Sequence, residues 1–295
     1  MAAKQCPDNY YERMESSGDD KLKITKFLSD GDSVLDVGAG GGVLADLLLS
    51  LFPNMHITAL DQSDTAVERL NALTKKYPGR LSVVQADFFA FEPETPFDAV
   101  VFCSSLHEIF SYAEYEGKRF RPETISLALD HAANCLKPGD GKIIIRDGVA
   151  ARYNPKVLVK YVDPALQKLA ERYEREFEGF PLEIVHTEMG DIMPYNSMME
   201  LLYTITWGEK SFEREVQEWY GYFCLNDWVR EETWLAFKHS LFLTHTEKYL
   251  QDGYREHLEG KVKIQSAPYF NWHSELCTKP IDFPASNCIV VFERE

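Results

Sequence analysis

The stretch SVLDVGAGGGV, Ser33 to Val43, decides how the rest of the chain is read. Val34, Leu35 and Val37 make a short apolar run that predicts a buried strand. Gly38, Gly40, Gly41 and Gly42 then force a tight turn into the apolar segment Val43 to Phe52, which predicts a helix. A strand that feeds a helix through glycines is a place for a nucleotide. Backbone without Cβ atoms can press against a ligand, and the helix start offers unpaired N–H groups and a positive dipole end. A dinucleotide fingerprint would require a third glycine, or an alanine, at position 43, where this chain has Val43. The pattern is instead Asp36-x-Gly38-x-Gly40-x-Gly42, with the acid placed before the first glycine at the end of the strand.

Composition narrows the classes. A chain of 295 residues can bury a large core and suits one enlarged α/β domain or one domain with a cap. Lys and Arg number 31 against 47 Asp and Glu, a formal charge of −16, spread as −8 over residues 1–150 and −8 over 151–295. Nucleic-acid binding draws on phosphate neutralisation, so a long nucleic-acid footprint is disfavoured and a small molecule is the expected partner. The six cysteines show no Cys-x-x-Cys pair, which fits free thiols in a reducing, cytoplasmic compartment. Neither a secretory h-region nor a membrane-length apolar run is present, and no His/Asp/Glu set has zinc-hydrolase spacing, so no membrane span and no metal are expected. Oligomeric state is not legible.

The remaining strands follow at regular intervals. His56 to Leu60 predicts a second strand ending in Asp61, nineteen residues beyond Gly42. One carboxylate there can accept from both hydroxyls of a ribose, or it can serve as a helix cap, although Ser63 and Asp64 already open the next helix. Leu81 to Ala86 predicts a third strand closing on Asp87 and Phe88, and Phe97 to Cys103 a fourth that runs into Ser104-Ser105-Leu106-His107-Glu108. His107 and Glu108 are the acid/base pair at that tip, where His107 could take a proton from a hydroxyl or amine or could be structural. After a polar, aromatic insertion (Tyr112 to Arg121) and a helix from Pro122, the Leu-Lys-Pro-Gly turn at Leu136 to Gly139 launches a fifth strand, Lys142 to Arg146. Arg146 could hold an anionic substrate group or pair with Asp147.

Taken together, Asp36-x-Gly38-x-Gly40-x-Gly42, the acids Asp61 and Asp87 at their intervals and the Lys-Pro-Gly turn resemble the class I (Rossmann-like) S-adenosylmethionine-dependent methyltransferases. The resemblance covers residues 31–147. It implies an α/β fold, a seven-stranded, mostly parallel, doubly wound sheet of order 3-2-1-4-5-7-6. It also implies S-adenosylmethionine as cofactor, held by Asp36, Gly38, Gly40, Gly42, Asp61, Gln62, Asp87, Phe88 and Ser104. In that pattern Asp87 takes the adenine amino group and Phe88 gives an N–H and an apolar wall; a plain turn with core phenylalanines is the alternative. The Asn/Asp-Pro-Pro-Tyr/Phe motif of many nucleic-acid amino-group methyltransferases is absent.

The expected organisation is a leader or lid at 1–30, with Tyr11, Arg13 and Ser16 to Lys21 as lid candidates; a cofactor core at 31–148; a helical substrate cap at 149–225; and the end of the core sheet at 226–295. Within 149–225 a charged helix is predicted at Tyr161 to Phe177, followed by a Met-, Tyr- and Trp-dense stretch. Such residues at these spacings are either core or substrate wall, the wall candidates being Tyr195, Asn196, Tyr203, Trp207 and Tyr222. A sixth strand is expected at Leu241 to Tyr249, a long loop carrying Tyr254, His257, Tyr269, Trp272, His273 and Glu275 at Gln251 to Ser286, and a final strand at Asn287 to Glu293. The expected activity is methyl transfer to O or N of a small molecule. A methyltransferase acting on RNA or protein, a dehydrogenase and a non-catalytic cofactor-binding module remain as alternatives.

Overall fold

The computed structural model describes residues 18–270 and 273–294. The lid candidates Tyr11, Arg13, Ser16 and Ser17, and Trp272, lie outside the described residues. The chain divides into two compact units, one of Met1–Asp147, Asn226–Glu247 and Cys288–Glu295, the other of Gly148–Leu225 and Lys248–Asn287.

In the first unit the strands are β1 (Ser33–Val37), β2 (His56–Asp61), β3 (Leu81–Gln85), β4 (Ala99–Cys103), β5 (Lys142–Gly148), β6 (Leu241–Tyr249) and β7 (Asn287–Arg294). They form one seven-stranded sheet of order β3-β2-β1-β4-β5-β7-β6, the order expected from the sequence. β1 pairs in parallel with β2 and β4, as do β2 with β3 and β4 with β5. Every residue of β4 is buried, which is why its sequence is continuously apolar: a central parallel strand is covered on both faces.

The helices are α1 (Val43–Leu51), α2 (Asp64–Thr74), α3 (Leu106–Tyr112), α4 (Pro122–Asn134) and α5 (Asp227–His239). α1 starts from Gly42 in the left-handed region (φ 83°) and ends at Phe52, ahead of Pro53. α4 carries Pro122 in its first turn, where a missing N–H costs nothing. Among the described residues no helix is long and apolar enough to cross a membrane.

The second unit corrects two expectations. Residues 149–225 are not purely helical, and 251–286 are not a loop. Strands Pro280–Ile281, Val262–Ser266, Lys156–Tyr161, Gly190–Pro194 and Val185–Thr187 form, in that order, an antiparallel five-stranded sheet. The strand signal was the run KVLVKY and the alternation of buried Val262 and Ile264 with exposed Lys263. Helix Pro164–Glu176 begins later than expected, because Asp163 caps it by accepting from the Ala165 N–H at 2.8 Å and Tyr161 ends a strand. That helix and Tyr195–Thr206 bury Tyr173, Met198 and Leu202 with Val157, Val159 and Ile264. Helix Asp252–Leu258 buries Tyr254 in the same core.

The β1–α1 turn has no room for side chains at its first glycine. Gly38 has φ 68°, and a Cβ on it would lie 2.7 Å from the Ser105 Cβ. Gly79 shares the backbone region (φ 75°) with nothing within 4 Å of a Cβ. Gly79→Ala is therefore expected to cost about 1 kcal/mol of stability from backbone strain alone. Gly38→Ala should cost roughly 2 kcal/mol more from the overlap. Denaturant unfolding of the two variants compares them directly, and equal losses would show that the Gly38–Ser105 contact does not constrain the loop.

Candidate functional site

Parallel pairing brings the carboxyl ends of β1 to β5 to one edge of the sheet, where an open α/β sheet places its ligands. Asp36 stands at the end of β1, only 2% exposed. The glycine turn beside it is held to β2: the N–H groups of Gly38 and Ala39 donate to the Leu60 carbonyl at 2.9 and 3.0 Å. Asp61 completes the tie, accepting from the Gly40 N–H at 2.8 Å through Oδ2 and from the Ser63 N–H at 2.9 Å through Oδ1. Each oxygen keeps a second lone pair, so this anchoring leaves capacity for a ligand hydroxyl. The exposed Gln62 follows, its carbonyl accepting from Gln85 Nε2 at 3.4 Å.

At the end of β3, Asp87 is exposed and caps the turn Phe88–Ala90 by accepting from the Phe89 N–H at 2.9 Å. Phe88 is buried, with its ring edge-on to Phe102 (5.4 Å) and His131 (4.8 Å). Ser104 leaves β4 with φ 60°, a left-handed conformation that a non-glycine residue adopts only under local constraint. Its N–H donates to the Arg146 carbonyl at 2.7 Å and its Oγ accepts from Arg146 Nη1 at 2.7 Å.

His107 lies in the first turn of α3, buried, and Asp147 of β5 holds it from two sides. The His107 backbone N–H donates to Asp147 Oδ2 at 2.8 Å, and its ring Nδ1 lies 2.6 Å from Asp147 Oδ1. Sequence reasoning placed Asp147 only as a possible partner of Arg146. Adjacent strand residues point to opposite faces, so the two serve different groups: Arg146, 2% exposed, is bonded to Asp20 and Ser104. Glu108, next to His107, points to a half-exposed side of α3.

A family profile described as a methyltransferase domain matches residues 35–143. Ribosomal RNA small subunit methyltransferase G of Pseudomonas aeruginosa (strain LESB58) is 35% identical over 101 residues, covering 33% of this chain and 47% of that protein. The tRNA1(Val) (adenine(37)-N6)-methyltransferase of Vibrio campbellii is 38% identical over 72 residues, 24% of this chain and 30% of that protein. The chain thus spans about half the length, or less, of these curated relatives. Among solved structures, the pyocyanin biosynthetic protein PhzM shares the fold, with a TM-score of 0.52 at 14% identity, covering 99% of this chain and 60% of that one. Over residues 35–143 the chain is thus similar to a methyltransferase domain. The resemblance drawn from the sequence implies S-adenosylmethionine as the cofactor.

The matched segment presents groups suited to such a cofactor. Asp36 Oδ2 is buried without a hydrogen-bond partner, so a ligand ammonium would meet an acceptor with no competitor. Burial pushes the Asp36 carboxyl up to about 7 against the pull of Lys21, and Asp61 adds to the rise. Gly38, Gly40 and Gly42 all lie at positive φ, giving a side-chain-free cradle beside that carboxylate. Asp147, forty residues from His107, carried no sequence signal as a partner of that ring, and Lys21, placed by the sequence only in the lid stretch Ser16 to Lys21, is 3% exposed.

The expected substrate residues Tyr195, Tyr203 and Trp207 belong to the second unit. Tyr203 is a core tie: its hydroxyl reaches the carbonyls of Val149 at 2.9 Å and Ser286 at 2.7 Å. Asn196 braces Ala151, accepting from its N–H at 2.9 Å and donating to its carbonyl at 3.1 Å. Tyr222 is buried, and Trp207 ends the helix Tyr195–Thr206, half-buried. Tyr195 lines a pocket of about 360 Å³ with Arg152, Tyr153, Met199, Lys248 and Pro284.

Asp36 sets a pH signature. Its carboxyl holds a proton in the folded chain that the unfolded chain releases from about pH 4, so its contribution to stability falls as pH rises from about 4 to 7. Asp36→Asn should remove a few kcal/mol of that slope. Thermal or urea unfolding of wild type and variant from pH 4 to 8 reads the difference; superimposable curves would contradict the burial of the charge.

Proposed function

We propose that the protein is an S-adenosylmethionine-dependent methyltransferase acting on an oxygen or nitrogen of a small-molecule acceptor. The observation that carries the reading is the buried, unpartnered Asp36 Oδ2 beside the glycine cradle, with Asp61 and Asp87 at the two neighbouring strand ends. In this reading Asp36, Gly38, Gly40 and Gly42 hold the amino-acid end of the cofactor. Asp61 and Gln62 take the ribose, Asp87 and Phe88 the adenine, and Ser104 borders the reacting end. When bound, the cofactor supplies a methyl carbon on a sulfonium that departs as a neutral thioether, so no general acid is required at sulfur.

His107 is the proton acceptor in this reading. With Nδ1–H donated to Asp147, Nε2 is the basic nitrogen of the neutral ring, and the carboxylate offsets the positive charge that the ring would gain on protonation. Asp147 orients the ring; Glu108 is a second titratable group on the same turn. Arg146, already bonded to Asp20 and Ser104, braces the tips of β4 and β5 rather than reaching for substrate. Asp20 and Lys21 belong to the described part of the expected lid. The pocket at Tyr195 suits a small acceptor in size and polarity.

RNA as acceptor is the second reading, favoured by the activities named for the ribosomal and transfer RNA relatives. The formal charge of −16 weighs against it, because an RNA footprint is built by neutralising phosphates.

Incubation with methyl-labelled cofactor and fractionated cell extract tests the reading. Label is expected in the small-molecule fraction; label in RNA would support the second reading, and none in any fraction would refute transfer. His107→Ala and Asp147→Asn should lower the rate about 10²- to 10⁴-fold while leaving S-adenosylhomocysteine affinity within a few-fold, measured by calorimetry. Unchanged turnover in both would remove His107 as the base.

A further inference from the structure

We infer that the pocket beside Tyr195 takes a compact organic carboxylate held by Arg152 and Lys248, and that under the methyl-transfer reading above, on which this rests, such an acid is the acceptor. Every residue lining the pocket belongs to the second unit. Arg152 and Lys248 are its cations, and no acid lines it. Among the described residues no acid pairs with either cation. Other surface cations of this acidic chain are covered: Arg172 is shared among Glu176, Glu209 and Glu213, Lys238 sits on Asp130 and Lys76 on Asp46. The acids nearest to Arg152 and Lys248 in sequence are engaged elsewhere. Asp147 holds the His107 ring, and Glu247 holds Lys26 at 2.9 Å and His245 at 3.2 Å. Lys248 follows Glu247 on β6, so the two side chains leave the strand on opposite faces.

The backbone that carries Arg152 is fixed on both sides. Before it, the Ala150 N–H donates to the Phe223 carbonyl at 2.9 Å, and Ala151 is bonded in both directions to Asn196. After it, Asn154 Oδ1 accepts from the Asn196 N–H and the Pro155 carbonyl from the Tyr195 N–H, each at 2.8 Å. A cation on a segment already ordered loses less freedom when it takes a guest.

The available donors select the anion. Phosphate sites are built from free backbone N–H groups at glycine turns and helix starts. Here the amides of Val149, Ala150 and Ala151 are taken by Tyr203, Phe223 and Asn196, and Pro155 and Pro284 have none to offer. Charge recognition therefore falls to side chains, and the planar guanidinium fork matches a planar carboxylate with two parallel bonds. Burial pushes the Tyr195 phenol up, so it stays neutral and adds no negative charge to the wall. Met199, Pro155, Pro284 and Ala285 offer apolar surface to the rest of the guest, and a volume of about 360 Å³ keeps that guest small. The anchored carboxylate takes no part in the transfer, so the product keeps its negative charge.

Calorimetry on the full chain tests the ligand class with benzoate, cinnamate and hexanoate, each beside its primary amide, and with phenyl phosphate as a different anion. At least one carboxylate should bind about tenfold tighter than its amide, and tighter than phenyl phosphate. Arg152→Gln should shrink that preference to about twofold, and Lys248→Gln should weaken the same carboxylate about threefold. Both residues are exposed, so neither change disturbs the core. Amides bound as tightly as acids, phenyl phosphate bound tighter than every carboxylate, a preference that survives in Arg152→Gln, or no binding of any probe would each overturn the inference. The labelling experiment above separates this outcome from failure of the transfer reading. Label in a small molecule retained by an anion exchanger near neutral pH supports both. Label in a neutral or cationic small molecule keeps the transfer and overturns the carboxylate. Carboxylate binding with no label in any fraction overturns the transfer and leaves the ligand class of the pocket standing.

Discussion

A carboxylate kept out of water at the end of a central strand is the constraint around which the first unit is arranged. Asp36 occupies a position on β1 flanked in parallel register by Ala59 on one side and Val101 on the other, so both neighbours are apolar. A carboxylate in that setting destabilises the fold as soon as it ionises, and a chain selected for stability alone would place an apolar residue there. Under the proposed function the cost has a use, because an acceptor already stripped of water would need no reorganisation when a cation arrives. The adjoining glycines follow from the same requirement: a ligand can reach Asp36 only if the turn above it carries no side chains, and Gly38 packs so closely on Ser105 that a Cβ could not fit.

The acids at the next two strand ends show that structural and functional roles need not compete. Asp61 holds the Gly40 and Ser63 amides, and Asp87 caps the turn at Phe88. Capping and ligand binding looked like alternatives in the sequence. In three dimensions a carboxylate has about four lone-pair sites, so one amide bond per oxygen fixes its orientation and leaves the remaining capacity directed outward. Under the proposed function such anchoring would favour Asp61 as a ligand, since its rotamer is already set before anything binds.

The sheet and the glycine loop were legible because their signals are local. Val34 to Gly42 encodes strand, acid and turn within nine residues, and buried parallel strands such as AVVFC announce themselves by composition alone. The His107–Asp147 pair was not legible, because its partners sit on α3 and β5 and meet only through the β4–β5 register, in which Cys103 lies opposite Arg146. Lys21 was legible only as the end of the lid stretch Ser16 to Lys21: its burial is what separates it from the exposed Lys23 and Lys26. The second unit was misread where strands are short. Val185–Thr187 and Pro280–Ile281 are too brief to show a period, and Tyr161 belongs to a strand although its spacing also fits the helix that Asp163 and Pro164 begin.

Acceptor choice has to be encoded outside the glycine loop. The matched segment, residues 35–143, lies wholly within the first unit, and proteins named for ribosomal and transfer RNA substrates resemble parts of the same chain that shares its fold with a pyocyanin biosynthetic protein. A fold shared by proteins with such different names does not by itself specify an acceptor. The second unit lies outside the matched segment, and the lining of its pocket differs from the chain's average. In a protein with 47 acids against 31 bases, the lining includes Arg152 and Lys248 but no carboxylate. Keeping acids out of one concavity on an acidic surface lowers the penalty for an electron-rich guest. The pocket's volume of about 360 Å³ falls in the range of small-molecule sites. Both features weigh on the side of a small acceptor, and neither would help a protein grip a long run of phosphates.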